Sequence, residues 1–225
     1  DGLLDDAEFL AEFLPFQQRV ARLGEGNRLS ATALRLTAPG VPDVYRGSEL
    51  WNLSLVDPDN RRPVDFDLRR GTLARVAEIA GLEPEARGAT LRALLDEPAD
   101  GTAKLYLMRT LLGLRRRREA LFRDGGYAPL TVQGRHAARI CAFARRHHER
   151  GAMAVVVPRL TAPLSEGGRR PPLAEVWADT RVALPEELSE PVEALTGRAI
   201  PVRDGTAGCA TLFESFPIAL LTEQN

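Results

Sequence analysis

Apolar residues recur at a helical spacing from Asp5 to about Leu23, at Phe9, Leu10, Phe13, Leu14, Phe16 and Val20. Pro15 falls inside that run and predicts a kink or a split, and Gly24 and Gly26 predict an end. A second helix is expected from Asn27 to about Thr37, with Leu29, Ala33, Leu34 and Leu36 largely on one side and Asn27 or Ser30 as the cap. Pro39-Gly40 stops it. The β-rich run Val41-Pro42-Asp43-Val44-Tyr45 comes next and predicts a buried strand reached from a helix, the αβ step of an alternating fold.

From Ser48 to about Arg70 the chain is polar, proline-bearing and without a period. A loop this long inside a compact domain is usually functional or disordered, and Trp51 and Phe66 favour an ordered one. Helices are expected over about Thr72 to Ala80, with Thr72 as N-cap and Gly81 as the stop, over about Thr90 to Asp96, and over about Thr102 to Phe122. After Asp124-Gly125-Gly126 the texture changes. Short β-prone runs recur at the roughly 8–12-residue spacing of a sandwich: Pro129 to Gln133, Ala138 to Ala144, Ala152 to Val157, Arg181 to Leu184, Ala199 to Val202, Thr211 to Phe213 and Ile218 to Thr222. A boundary near Asp124 therefore divides the chain into 1–124 and 125–225, with Thr161 to Pro172 as a surface loop.

Composition narrows the function. The 225 residues are 44% apolar and 27% charged, an ordinary globular balance. A net charge of −1 argues against a general nucleic-acid or membrane-surface binder. No run approaches the roughly 18 to 20 apolar residues that cross a bilayer, and no signal-peptide pattern is present. Cys141 and Cys209 are too few for a disulfide framework, so a reducing cytoplasm is the expected compartment and two small buried hydrophobes the expected role. Of the 30 basic residues only Lys104 is lysine, which reads mainly as genomic base composition. The chain opens on Asp1, with Met only at 108 and 153, and is expected to be a piece of something longer.

Arg115 to Arg118 point in all directions from a helix and fall in its last turns, so a solvated or ion-paired face is expected rather than a phosphate site. His147-His148 reads as a surface turn between strands, with no third ligand at metal spacing. Neither a phosphate-cradling glycine fingerprint nor a nucleophile elbow is present. The loop after the expected strand differs in kind. It gathers Glu49, Asp57, Asp59, Asp65 and Asp67 with Arg61 and Arg62, beside Tyr45, Trp51 and Phe66. Sugars suit that mixture: charged groups pair with hydroxyls, and flat rings cover the apolar face of a pyranose. The same residues also suit a structural loop knitted by its own salt bridges.

Pro39-Gly40-Val41-Pro42-Asp43-Val44-Tyr45-Arg46-Gly47-Ser48-Glu49-Leu50 resembles the last barrel strand of the α-amylase superfamily, where members read close to P-G-x-P-x-I-Y-Y-G-x-E. Leu111-Leu112-Gly113-Leu114-Arg115 is similar to the L-I-x-L-R of the final barrel helix. Phe143-Ala144-Arg145 and Leu195-Thr196-Gly197 are similar to the F-x-R and L-T-G marks of the C-terminal sandwich. The stretch Trp51 to Phe66, with Asp57-Pro58-Asp59-Asn60-Arg61-Arg62-Pro63, is most similar to the maltooligosyl trehalose synthases, a considerably longer family.

The resemblance implies an α/β plus all-β fold: the C-terminal end of a (β/α)8 barrel with added helices, then an antiparallel β-sandwich. It implies a parent that converts the reducing-end α-1,4 linkage of a maltooligosaccharide to an α,α-1,1 linkage by intramolecular transglucosylation, without cofactor or metal. Its product would pass to a trehalose-releasing hydrolase. The family's Asp nucleophile, Glu acid/base and second Asp lie on earlier strands, and nothing in residues 1–40 matches them. This piece is thus expected to carry no catalytic residue, to need the missing N-terminal part as its partner, and to be inactive alone. Asp43 stands where relatives have an apolar residue and takes no catalytic role. Arg61 aligns with an arginine that closes the glucose pocket in related glucosidases, whereas Val56 replaces an arginine of that pattern. The substrate-binding set so implied is Tyr45, Glu49, Trp51, Asp57, Asp59, Arg61 and Arg62. Two other classes remain open, a carbohydrate-binding or scaffold module and a fragment of another α-amylase-type hydrolase.

Overall fold

The computed structural model describes residues 2–54, 61–96 and 100–223. Asp6 caps the first helix, its carboxylate accepting from the Glu8 and Phe9 amides, and α1 (Ala7–Thr37) then runs unbroken through Pro15, Gly24 and Gly26. The expected split does not occur. Pro15 deletes a single ladder bond, each glycine costs about 1 kcal/mol, and the buried C-terminal half, with Leu29, Ala33 and Leu36, anchors the whole. Ser30 is no cap; its hydroxyl donates to the Pro158 carbonyl.

Val41 to Tyr45 form no strand, against expectation. Val41 is 97% exposed, and the described residues ahead of Gly126 offer no ladder for an extended segment to join. Next come α2 (Phe66–Ala80), α3 (Pro84–Asp96), α4 (Thr102–Arg117) and α5 (Glu119–Arg123). Asp65 rather than Thr72 caps α2, accepting from the Leu68 amide, so the helix starts six residues early. Arg118, with φ −116° and ψ 42°, breaks the single helix expected over 102–122 into α4 and α5.

The strands follow: β1 (Gly126–Pro129), β2 (Val132–Gln133), β3 (Ile140–His147), β4 (Gly151–Pro158), β5 (Arg181–Ala183), β6 (Pro191–Glu193), β7 (Thr206–Gly208) and β8 (Ala219–Glu223), with the short α6 (Cys209–Leu212) before β8. Among the described residues they pair only antiparallel, in the orders β1-β3-β4-β8-β6 and β2-β5-β7. Two expected strands are absent: Thr211 to Phe213 lie in and beside α6, and Ala199 makes only an isolated bridge to Val192.

The strand period explains the layering. Along β4, Met153, Val155 and Val157 join the helices Leu36, Leu107 and Leu111 belong to, while Ala152, Ala154 and Val156 share a second cluster with Trp177, Val182, Ala207 and Phe213. The larger sheet is therefore buried on both faces, between the helices and the smaller sheet.

Candidate functional site

The segment after Gly40 is shaped by cations reaching in from two helices. From α2, Arg69 pairs with Glu49 at 2.9 Å and donates to the carbonyls of Gly47 at 2.7 Å and Asp65 at 2.9 Å. From α4, the Lys104 ammonium donates to the carbonyls of Ser48 and Leu50, the latter at 2.9 Å, and stands 5.8 Å from the centre of the Trp51 ring. Lys104 is only 6% exposed. Burial first, and then Arg35 and Arg28, hold its pKa down to about 8, against the opposing pull of Glu49. Gly101, at φ +73°, lets α4 begin directly against this loop; a Cβ there would lie 2.9 Å from the Trp51 nitrogen.

An open groove brings together Trp51, Arg62, Asp65 and Arg69. Arg61 is exposed and does not line this groove, so of the two adjacent arginines it is Arg62 that shares it with Trp51. Tyr45 is 52% exposed and lies outside the lining, and Glu49 is engaged by Arg69. Asp57 and Asp59 fall outside the described residues. Asp65 is occupied as a helix cap, and Asp67 pairs with Arg70 on the surface. A second groove runs from Trp51 and Leu53 along α1 past Phe13, Phe16 and Val20.

Sequence reasoning missed Lys104 and Arg69, the residues that set the loop's shape. The signal for Lys104 was its isolation among arginines: a lysine where every other cation is arginine stands where a compact ammonium fits. The stack of half-buried Phe9 on exposed Phe13, with ring centres 5.3 Å apart, was visible as an i,i+4 aromatic pair.

Other candidates resolve into structure. The solvated arginine face is corrected in part: Arg116 and Arg117 are exposed, but Arg115 donates to the Leu36 carbonyl at 2.9 Å and stacks over Phe122, and Arg118 donates to Ala152. A guanidinium beside helix-terminal carbonyls satisfies orphaned acceptors. The 161–172 loop is likewise not all surface, since Ser165, Gly168 and Pro172 are buried. His147 and His148 stack at a turn between β3 and β4. Burial pushes the Cys209 thiol up to about 12, which keeps it protonated and unreactive, while Cys141 is half-buried. Among the described residues no three His, Cys, Asp or Glu gather to hold a metal, and no helix is long and apolar enough to cross a membrane.

No family model matches the chain. Proteins of two strains of Mycobacterium tuberculosis, each described as a maltooligosyl trehalose synthase, are 35% identical to it over 201 residues, covering 89% of this chain and 21% of theirs. The solved maltooligosyltrehalose synthase of Arthrobacter ramosus matches at 34% identity and TM-score 0.70, and a mutant form at 35% and 0.71, each covering 96% of this chain and 24% of that one. Its relatives are maltooligosyl trehalose synthases. The chain spans only about a fifth of their length.

The three stretches outside the loop that resemble α-amylase superfamily marks hold internal staples. Arg115 ties α4 to the end of α1. Arg145, 1% exposed, donates to five carbonyls, those of Thr37, Leu121, Phe122, Gly125 and Gly126, and so locks α1, α5 and β1 to β3. Beside Leu195-Thr196-Gly197, the buried Glu193 accepts from the amides of Leu195, Thr196 and Leu220 and from the Thr196 hydroxyl. Burial raises its pKa against those four donors. Tyr106 closes the same corner by donating to the Leu195 carbonyl.

Proposed function

We propose that this chain is the C-terminal part of an enzyme that turns the reducing-end α-1,4 linkage of a maltooligosaccharide into an α,α-1,1 linkage by intramolecular transglucosylation in the cytoplasm. The observation that carries this reading is 35% identity sustained over 201 residues, joined to a shared fold over 96% of the chain. In it, residues 1–124 complete a (β/α)8 barrel and residues 125–225 form a β-sandwich against it. Val41 to Tyr45, extended here without a ladder, becomes the final barrel strand once neighbours from the rest of the parent pair with it. The Trp51–Arg62 groove then sits beyond the carboxyl end of that strand, where barrel enzymes bind substrate.

Within this reading each side chain has a task. Trp51 offers a flat face to a pyranose ring, with Tyr45 as a second aromatic surface. Arg62 supplies a fork of donors to paired hydroxyls, and Arg61 closes the end of the glucose pocket. Glu49 acts through Arg69 on the loop's shape, and Asp57 and Asp59 complete the polar set. The nucleophile and acid/base come from earlier strands of the parent, so this chain alone has no covalent route.

Incubating the parent with maltopentaose tests the proposal. The expected product has unchanged mass and no reducing end, and it is the substrate of a trehalose-releasing hydrolase. A shorter glucan with free glucose identifies a hydrolase instead. No reaction at all returns the chain to a carbohydrate-binding or scaffold module. The isolated chain is expected to form neither product above a boiled control.

A further inference from the structure

The Trp51 loop is held at two points of different kind. Upstream, Arg69 grips Gly47 and Glu49 from α2, and a guanidinium keeps its charge at every working pH. Downstream, Lys104 reaches in from α4 to the Ser48 and Leu50 carbonyls, with the Trp51 ring centre 5.8 Å from its ammonium. Leu50 is buried, and Gly101 lies against the Leu50 and Trp51 backbone, so the main chain there is fixed from below. The indole itself is half-buried and borders both the Arg62 groove and the groove along α1. A change at Lys104 therefore bears on one ring that two grooves share.

Charge decides how firmly that ring is held. An ammonium donates charge-assisted hydrogen bonds and attracts the electron-rich face of an indole. A neutral amine keeps two N–H groups for the two carbonyls, but the attraction to the ring disappears. The surroundings bring this change of charge within reach. Arg28 and Arg35 on α1 oppose the ammonium, and Glu49 in the loop favours it. On α2, Arg69 takes up Glu49 and Arg75 takes up Asp100, so both carboxylates are engaged by guanidinium groups. Burial tips the balance further, and the ammonium gives up its proton at about pH 8.

We propose that Lys104 is a positioning residue for the Trp51 ring: its charge holds the ring where a sugar can stack, and loss of the charge loosens the ring and weakens binding. The link to binding rests on the transglucosylase reading, whereas the latch is a property of this chain alone. A lysine that served packing only would add stability without any charge-dependent position of the ring.

The first measurement titrates the 225-residue chain from about pH 6.5 to about pH 10, following indole emission and the amide signals of residues 48–53. Trp177 is fully buried, so an emission change reports Trp51. A transition near pH 8 is expected, and Lys104→Met should abolish it. Arg35 is exposed and acts on Lys104 through its charge, so Arg35→Gln should move the transition to higher pH without weakening the fold. The second measurement follows the parent enzyme on maltopentaose. KM should rise about tenfold from neutral to alkaline pH while kcat keeps a course of its own, and Lys104→Met should carry the raised KM at every pH. The latch is overturned if the chain shows no transition, if the transition survives Lys104→Met, or if Arg35→Gln leaves it in place. A KM indifferent to both pH and Lys104→Met overturns the link to sugar binding. A parent with no turnover of maltopentaose, beside an intact transition in the chain, overturns the sugar reading instead and leaves the latch standing.

Discussion

Arg145, where the helices meet the larger sheet, and Lys104, beneath the Trp51 loop, are both buried cations whose hydrogen bonds go to backbone carbonyls. They differ in what happens to the charge. Burial and the neighbouring Arg115 lower the pKa of Arg145, but from a starting point far above any working pH, so its staple is permanent. Lys104 starts nearer neutrality and is held at about 8. One device thus gives a fixed joint in the scaffold and a titratable one under the candidate binding loop.

The largest effect is expected at the fixed joint. Arg145→Met leaves five carbonyls without their shared donor, and a loss of about 3–5 kcal/mol is expected in urea unfolding. Arg145→Lys should recover part of it, since an ammonium offers three donors but not the planar fork. A loss below about 1 kcal/mol in Arg145→Met would remove the distinction between staple and ordinary contact.

Lys104 sharpens the other side. Its folded pKa lies below its unfolded value of 10.5, so its favourable contribution is complete above pH 10.5 and is lost as pH falls through about 8. Between pH 8 and 10.5 the unfolded chain binds more protons, and stability should rise by on the order of 2–3 kcal/mol relative to Lys104→Met. The lone lysine makes direct observation simple: one isotope-labelled lysine signal should titrate near pH 8. A signal titrating near 10.5 would place the ammonium in water and end the comparison.

The fold was legible wherever a period was carried by side chains the chain itself buries. β3, β4 and β8 were readable because their apolar runs are covered on both faces, and α4 because Leu107, Met108 and Leu111 repeat towards the same core. It was misread where the partner is absent or the rule is local. Val41 to Tyr45 carry strand composition but have no ladder among the described residues. Pro15 and Gly24 carry breaker composition yet ride on a helix anchored elsewhere. Strands as short as β6 and β7 hold too few residues to show a period. The Trp51–Arg62 groove was half legible, because loop composition names its side chains, whereas Lys104 and Arg69 reach it from α4 and α2, far along the sequence.

Glu193 offers a smaller and oppositely tilted test. In Glu193→Gln an amide donor must face the Leu195, Thr196 or Leu220 donors, at a cost of about 1–3 kcal/mol. Because burial raises the folded pKa of Glu193, its own contribution is complete below the ordinary carboxylate range and declines as pH rises through the raised value. The penalty for Glu193→Gln should therefore shrink from acid to neutral pH, while Lys104 gains towards alkaline pH. Matching slopes in the two variants would mean that one of the two burials is misjudged.

The smallest expected effect tests the exposed end of α1 against its buried end. Leu29 and Leu36 lie in the core, whereas Phe16 is 53% exposed and the exposed Phe13 stacks on Phe9. Serine and phenylalanine have similar helix propensities, so the Phe13→Ser, Phe16→Ser double variant should change unfolding stability by no more than about 0.5 kcal/mol. What should change is association. An exposed aromatic stripe draws copies together, and its removal should lower the sedimentation coefficient at high concentration and reduce dye binding to apolar surface. The single substitution Leu36→Ala, at the buried end of the same helix, should cost about 2–5 kcal/mol through the cavity it leaves. If the exposed double variant destabilises by more than about 1 kcal/mol, that face is covered in solution by the chain's own residues. The contrast between the two halves of α1 would then not hold.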